Sequence, residues 1–249
     1  MDIFLSIIIP SYNAQFCIEN TLSTIISYFK NKNYYIEIII VNDGSIDLTR
    51  EVTQEYIKLF TNSPEIFLSE KIRIKLIENE NNSGKGFSVK KGILKSCGQF
   101  ILFTDADLST PIEEFENLFY NLNIGFDIAI GSRDLPESKI LQHQNIIRES
   151  MGKVFNFFVR KLVKLDFRDT QCGFKLFKKE AANIIFPKMK INGFGFDVEI
   201  LYIAKRLGFK VIEVPVKWKN NKDSKVNILK DSLKMFLCLF QVKKLHSNI

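Results

Sequence analysis

The stretch "FTDADLSTP" sets Asp105 and Asp107 two residues apart where an apolar run ends. Side chains two apart on an extended chain point the same way, so both carboxylates can face one cation. Hard oxygen ligands suit Mg2+ or Mn2+, which bind through one or two carboxylates and complete their shell with substrate phosphates. The neighbours also have a plainer reading, because Ser109 or Thr110 ahead of Pro111 would begin a helix well. That accounts for Ser-Thr-Pro but not for two acids at a strand exit.

A second candidate is Lys85, set between Gly84 and Gly86 in "ENENNSGKGFSVKKG". A Walker A phosphate loop would require glycine at position 79 and a hydroxyl residue at 86, where this chain has Asn79 and Gly86. That architecture is excluded. What is left is a turn carrying one cation between a strand-like run and a helix-like one, and a merely solvated lysine satisfies the same pattern.

These residues need a frame to hold them. The runs "FLSIIIP", "YIEIIIV", "IRIKLI", "QFILFT" and "FDIAIGS" are continuously apolar, as in strands covered on both faces. Helix-length segments at roughly 14–29, 47–60, 85–96 and 111–122 separate them, which predicts right-handed crossovers and a mostly parallel sheet flanked by helices. In such α/β sheets ligands gather at the carboxyl ends of the strands. There stand "PSYN", "NDGS", "NNSGKG", "DAD" and "GSRD". After position 140 come a long helical stretch, "DFRDTQCGFKLF", "INGFGFDVEILYIAKRLG", a short strand "FKVIEVPV" and a last helix-like segment. Phe155, Phe158 and Leu162 within the first of these read as a core-facing stripe. No Gly-, Ser- or Pro-rich linker intervenes, so residues 1–249 read as one domain. Its half 1–133 would bind nucleotide and metal, and its half 134–249 the acceptor.

The chain of 249 residues is 46% hydrophobic and 25% charged, an ordinary globular balance, with a net charge of +7. A basic protein suits anionic partners, but no nucleic-acid motif and no arginine strip with exposed aromatics supports nucleic acid. Cys17, Cys97, Cys172 and Cys238 form no CxxC pair, which argues against zinc and for reduced cysteines in a cytosolic protein. The opening "MDIFLSIIIP" reads as a buried strand rather than a signal peptide, and no run reaches the ~18 apolar residues of a membrane span.

In this order, "SIIIPSYNA", "IIIVNDGSIDLT", "NNSGKGFSVKKGI", "ILFTDADLSTPIEE", "IGSRD", "DTQCGFKLF" and "GFGFDVEIL" resemble the inverting glycosyltransferases of family 2, which have the GT-A fold. The similarity is greatest to the branch that glycosylates dolichyl or polyprenyl phosphate. The resemblance implies a nucleotide-diphosphate sugar, UDP-glucose or GDP-mannose, at the strand exits. Pro10, Tyr12, Asn13 and Glu19 match the segment that packs on base and ribose, and Asp43 matches the aspartate that hydrogen-bonds the base. Lys85 matches a basic residue beside the donor. Asp105 and Asp107, flanking Ala106 among the donor contacts, match the metal-binding DxD. That branch often carries glutamine where Ser109 stands, so the resemblance supplies no third protein ligand.

For the acceptor, Arg133 and Arg148 match two arginines that contact the lipid phosphate, and Lys225 matches a lysine of the same branch. Without the resemblance, the arginines read equally well as surface partners of Asp134 and Glu149, and Lys225 as a solvated charge. A sugar hydroxyl needs a general base, which many family 2 enzymes place near "TQCGF", whereas a phosphate monoester is already anionic. Here Gln171 precedes Cys172 and cannot take a proton, although Asp169 lies close by. The expected reaction is therefore transfer to a polyprenyl phosphate at the cytoplasmic membrane face. Transfer to a saccharide hydroxyl and a non-catalytic nucleotide-sugar binder are the rivals. The last segment suits both an interfacial helix on anionic lipid and a core helix with a wet basic edge.

Overall fold

Each apolar run of the first half is a strand: β1 (Leu5–Ser11), β2 (Ile36–Asn42), β3 (Ile72–Glu78), β4 (Phe100–Thr104) and β5 (Ile128–Ser132). The structure is a computed structural model that describes residues 2–62, 71–220 and 228–248. Three helices follow the first three strands, α1 (Ile18–Phe29), α2 (Thr49–Thr61) and α3 (Lys85–Leu94). After β4 a 3-10 turn (Ile112–Glu114) leads into α4 (Phe115–Asn123). No side chain caps that turn, so the capping expected of Ser109 or Thr110 does not occur.

The second half adds β6 (Lys139–Gln142), α5 (Ile146–Phe158) with a π-helical continuation (Val159–Val163), β7 (Phe174–Lys178) and α6 (Lys179–Lys188). It closes with α7 (Phe196–Arg206), β8 (Val211–Pro215), β9 (Lys217–Lys219) and α8 (Ile228–Leu245). The main sheet has the order β3-β2-β1-β4-β7-β5-β8, drawing strands from both halves. All its pairings are parallel except those of β7, which runs antiparallel to both β4 and β5. β6 and β9 form a separate ribbon.

The continuous apolar runs of β1, β2 and β4 follow from two cores, whereas β3, expected to be covered on both faces, is an edge strand that alternates, with Arg73 and Lys75 exposed on its wet face. Leu5, Ile7 and Ile9 of β1 pack with α1 and α4, while Ile8 points to the other face and packs with α3. The same alternation divides Ile38 and Ile40 from Ile39 and Val41 in β2, and Leu102 from Ile101 and Phe103 in β4. A strand with helices on both sides has no wet face and no place for polar alternation. The fold-directing burial is nearly complete, since Ile7, Ile8 and Ile9 are each 0% exposed.

Phe155, Phe158 and Leu162 pack against the second core, as their spacing predicts. The final helix has one face in the core and another exposed. Leu239 and Val242 are buried in the core, while Leu237 and Phe240 stand exposed. Its end is tied down by His246, whose Nε2 lies 2.6 Å from Glu199 Oε1 of α7, both groups being buried. The Glu199 carboxylate also accepts the backbone N–H groups of Lys190 and Ile191, each at 2.8 Å.

Glu199→Ala would strip three buried partners at once, and removing one member of a buried charged network costs about 3–5 kcal/mol. We expect a loss of that order in urea denaturation; a variant within about 0.5 kcal/mol of the parent, the range of neutral surface changes, would show that Glu199 does not anchor α8.

Candidate active site

The order β3-β2-β1-β4 reverses the direction of winding between β1 and β4, and a crevice opens at such a switch point beyond the carboxyl ends. Asp105 and Asp107 leave β4 at that crevice. The register pairs Thr104 with Phe174, so Asp105 continues opposite Gly173 of the antiparallel strand. A Cβ at position 173 would overlap the Asp105 carboxylate, so only glycine leaves room for it. The turn is held from three sides. Thr21 donates its hydroxyl to Ala106 O at 2.6 Å, Ser109 N–H donates to Asp107 Oδ1 at 3.0 Å, and Leu108 N–H donates to Asp105 O at 3.2 Å. Leu108 adopts φ +47, a left-handed conformation that a branched side chain accepts only where its surroundings impose it.

Lys85 is the first residue of α3, and its Nζ lies 2.6 Å from Asp105 Oδ1. Burial alone would depress its pKa, but Asp105, Asp197 and Asp107 outweigh that and hold it above the ordinary lysine value. Asp107 is pushed upward, first by burial and then by the Asp105 carboxylate, against the pull of Ser109 and Lys85. The glycines around Lys85 serve packing. A Cβ on Gly86 would come within 2.7 Å of Ile191 O and of Phe196 Cβ, and Gly84 at φ +102 abuts Asn192.

Asp43 staples this loop. Its Oδ1 accepts Asn79 Nδ2 at 2.7 Å and Ser83 N–H at 2.9 Å, and its Oδ2 accepts Gly84 N–H at 2.9 Å. In the free chain the carboxylate expected to meet the base is thus engaged in positioning Lys85. Asn13, at φ +51, joins the exits of β1 and β2 in the same way: it accepts Ile46 N–H at 2.9 Å, and Ser45 Oγ accepts its own N–H at 2.9 Å. Pro10 lies within β1, while Tyr12 and Glu19 are exposed beside it.

Behind the acidic turn lies a pair that sequence reasoning missed. Lys175 of β7 is wholly buried, with its Nζ 2.6 Å from Asp197 Oδ1 and 2.6 Å from Cys172 O. The visible signal was a lysine in the middle of the apolar strand "FKLF". Asp197 is raised, first by burial, with Lys175 and Lys85 opposing.

Arg133, leaving β5, does not pair with Asp134 as a surface partner would. Its Nε and Nη2 grip Asp169 at 2.6 and 2.9 Å, and its backbone N–H adds a third bond at 3.0 Å. Gln171 N–H also donates to Asp169 Oδ1 at 3.0 Å. Four donors fill the four lone-pair sites of this buried carboxylate. Burial would raise its pKa, but Arg133 and these donors hold it below the ordinary carboxylate range. Arg133 also stacks over Trp218, 5.4 Å from the ring centre, and forms one wall of a cleft of about 740 Å3 with Asp134, Lys153, Asn156, Arg160 and Arg168.

Glu149 accepts Gln144 N–H at 3.0 Å and lies at the same distance from His143 Nδ1. Arg148 belongs to α5, but its side chain lies outside the described residues, as does Lys225 altogether. Among the described residues, the buried polar side-chain atoms without partners, Ser11 Oγ, Ser132 Oγ and Gln171 Nε2, all fall at this edge of the sheet. Orphaned groups of this kind mark where a polar ligand or water is accepted.

The residues fit a divalent cation. Burial, and after it the Asp105 carboxylate, raises Asp107, and an ammonium group already stands as counter-ion to Asp105. Among the described residues no cluster of three or more His, Cys, Asp or Glu converges, so phosphate oxygens or water would complete the shell.

Residues 6–186 match the family described as glycosyl transferase family 2. The dolichyl-phosphate beta-glucosyltransferase of Dictyostelium discoideum is 35% identical over 94% of this chain and 72% of its own length. The enzyme of that name from Homo sapiens is 34% identical over 89% of this chain and 69% of its own. Among solved structures, glucosyl-3-phosphoglycerate synthase from Mycobacterium tuberculosis, in complex with Mn2+, UDP and glucosyl-3-phosphoglycerate, shares the fold. Its TM-score is 0.68 at 15% identity, covering 98% of this chain and 80% of that one.

The contact between Asp105 and Gly173 is testable by a double-mutant cycle. Gly173→Ala should destabilise the protein by about 1–3 kcal/mol through overpacking. Adding Asp105→Ala should restore most of that loss, because the two changes share one space. Simple additivity in urea denaturation would show that the two residues do not compete for it.

Proposed function

The chain belongs to glycosyl transferase family 2, and on that premise we propose that it moves glucose from UDP-glucose to the phosphate of dolichyl phosphate. The name its relatives carry, dolichyl-phosphate beta-glucosyltransferase, contains both the glucosyl group and the lipid. The observation that carries the acceptor is the condition of Asp169. A general base must have a free lone pair and a pKa near the working pH, and Asp169 has neither. Gln171 beside it is an amide. An acceptor that arrives already ionised needs no base, and a phosphate monoester is such an acceptor.

Its oxygen attacks the anomeric carbon from the face opposite the departing diphosphate, inverting the configuration to the β product that the relatives' name specifies. Asp105 and Asp107 would hold a divalent cation, Mg2+ or Mn2+, which when bound would supply positive charge to the departing diphosphate. Lys85 adds a further positive charge beside those phosphates. On the acceptor side Asp169 takes two of the five guanidinium N–H groups of Arg133, leaving the others for the cleft. Lys153, Arg160 and Arg168 line that cleft with no ion pair among the described residues. We assign Arg148, from the same helix, to the acceptor phosphate with them.

A lipid acceptor requires contact with a membrane. No helix among the described residues is long and apolar enough to cross one. Val154 and Phe157 of α5 and Leu237 and Phe240 of α8 are exposed, and Lys161 and Lys234 accompany them on these two helices. That combination suits peripheral contact with anionic lipid at the cytoplasmic face.

One observation favours the second reading, transfer to a saccharide hydroxyl. Asp134 lines the cleft, and its pKa is raised first by burial and then by Asp169, as a general base requires. The two readings separate on one assay that offers labelled UDP-glucose to a short polyprenyl phosphate, the matching free alcohol and simple sugars. Transfer to the phosphate alone is expected, and Asp134→Asn should leave it within about threefold. Transfer to a sugar hydroxyl that Asp134→Asn abolishes would replace our reading with the second. In the same assay Asp107→Asn should lower turnover at least about 100-fold, through lost stabilisation of the leaving diphosphate; full activity of that variant in EDTA would exclude the role given to the pair.

A further inference from the structure

We propose that Lys85 is an internal counter-ion that holds the Asp105–Asp107 pair until the donor arrives, and so makes metal binding depend on the nucleotide diphosphate. The proposal rests on the donor reading above and adds an order of events to it.

Three observations carry it. The Lys85 ammonium and Asp105 Oδ1 are 2.6 Å apart, so the lysine takes one lone-pair site of that oxygen and its charge opposes a cation approaching it. The Asp105 carboxylate sits in the space beside Gly173 that a Cβ would need, so the absence of a side chain at 173 sets where it lies. The lysine backbone is equally fixed, by Asp43 on Ser83 and Gly84 and by the packing of Gly86 on Ile191 and Phe196. The side chain of Lys85 can yield, because its four-carbon stem can carry the charge several ångströms with no backbone change.

The surrounding charges say when it yields. Asp105, Asp107 and Asp197 all act on Lys85, and Lys175 neutralises Asp197 from behind at 2.6 Å. While the crevice holds only protein, the ammonium has no better partner than Asp105. A diphosphate brings two anionic groups to the same crevice, and Lys85 can then pass from carboxylate to phosphate. That releases Asp105 Oδ1 just as phosphate oxygens become available to complete a metal shell. By linkage, a nucleotide that draws the lysine away must tighten the metal, and the metal must tighten the nucleotide by the same factor.

The test uses Mn2+ alone as first probe, with free ion read by electron paramagnetic resonance, then Mn2+ at saturating UDP. Lys85→Met should bind Mn2+ at least about tenfold more tightly than the parent without UDP, because the competitor is gone. With UDP present it should bind no more tightly than the parent, so the metal–nucleotide coupling falls. Lys85→Arg keeps the charge and should keep the weak metal binding of the parent. Lys85→Gln provides the same comparison as Lys85→Met should that variant fail to fold, as judged by near-UV circular dichroism. A damaged site would weaken Mn2+ binding, so a gain in affinity is the signature of a removed competitor. If both neutral variants bind Mn2+ no more tightly than the parent without UDP, the proposal is overturned. Failure of the parent to bind UDP even with Mn2+ would instead count against the donor reading.

Discussion

Two carboxylates at the end of one buried strand cannot be neutralised by that strand, and much of this site follows from that constraint. β4 delivers Asp105 and Asp107 to a crevice where water is scarce enough to raise one of them. The compensating cation is Lys85 from the start of α3, while Lys175 from the middle of β7 neutralises Asp197 behind it. Each has to be held at hydrogen-bond distance by its own local structure. This is why Asp43, Gly84, Gly86 and Gly173 sit where they do, although none of them carries charge to the reaction.

The antiparallel strand β7 couples the acidic turn to the cleft at Arg133. Inserted between β4 and β5, it starts at the edge where both of its neighbours end. Its lead-in, residues 169–173, therefore lies between the acidic turn and Arg133. At one end Gly173 makes space for Asp105, and at the other Asp169 is locked by Arg133. An ion pair this buried is a poor source of net stability, because desolvation consumes much of the Coulomb gain. Its evident consequence is chemical: it removes a carboxylate from the pool of bases and leaves a guanidinium fixed at the rim of a basic cleft.

The helix α5 and its π-helical continuation serve two environments. Lys153, Asn156 and Arg160 point into the cleft, while Val154 and Phe157 are exposed elsewhere on the same helix. α8 packs beside it through Phe158 and Phe236, whose rings meet at 5.0 Å, and is anchored by the buried contact of His246 with Glu199. That helix therefore has one face in the core and another that exposes leucine and phenylalanine among lysines.

The sequence by itself determined the α/β class, the five parallel strands and the edge on which the site would lie. Those features depend on local hydrophobic runs and their spacing, which a linear reading sees. It also identified Asp105, Asp107 and Lys85 as the residues to watch, and the family motifs named Arg133. The tertiary structure alone decided which charges meet. That Lys85 pairs with Asp105 across twenty residues, that Arg133 takes Asp169 rather than its neighbour Asp134, and that Lys175 is buried against Asp197 all depend on strand order and register. β7 looks like any short apolar segment until its direction is known, and only its antiparallel insertion places Gly173 under Asp105. Periodicity reports which residues are buried; partnership among buried charges is set by long-range pairing, which no local pattern encodes.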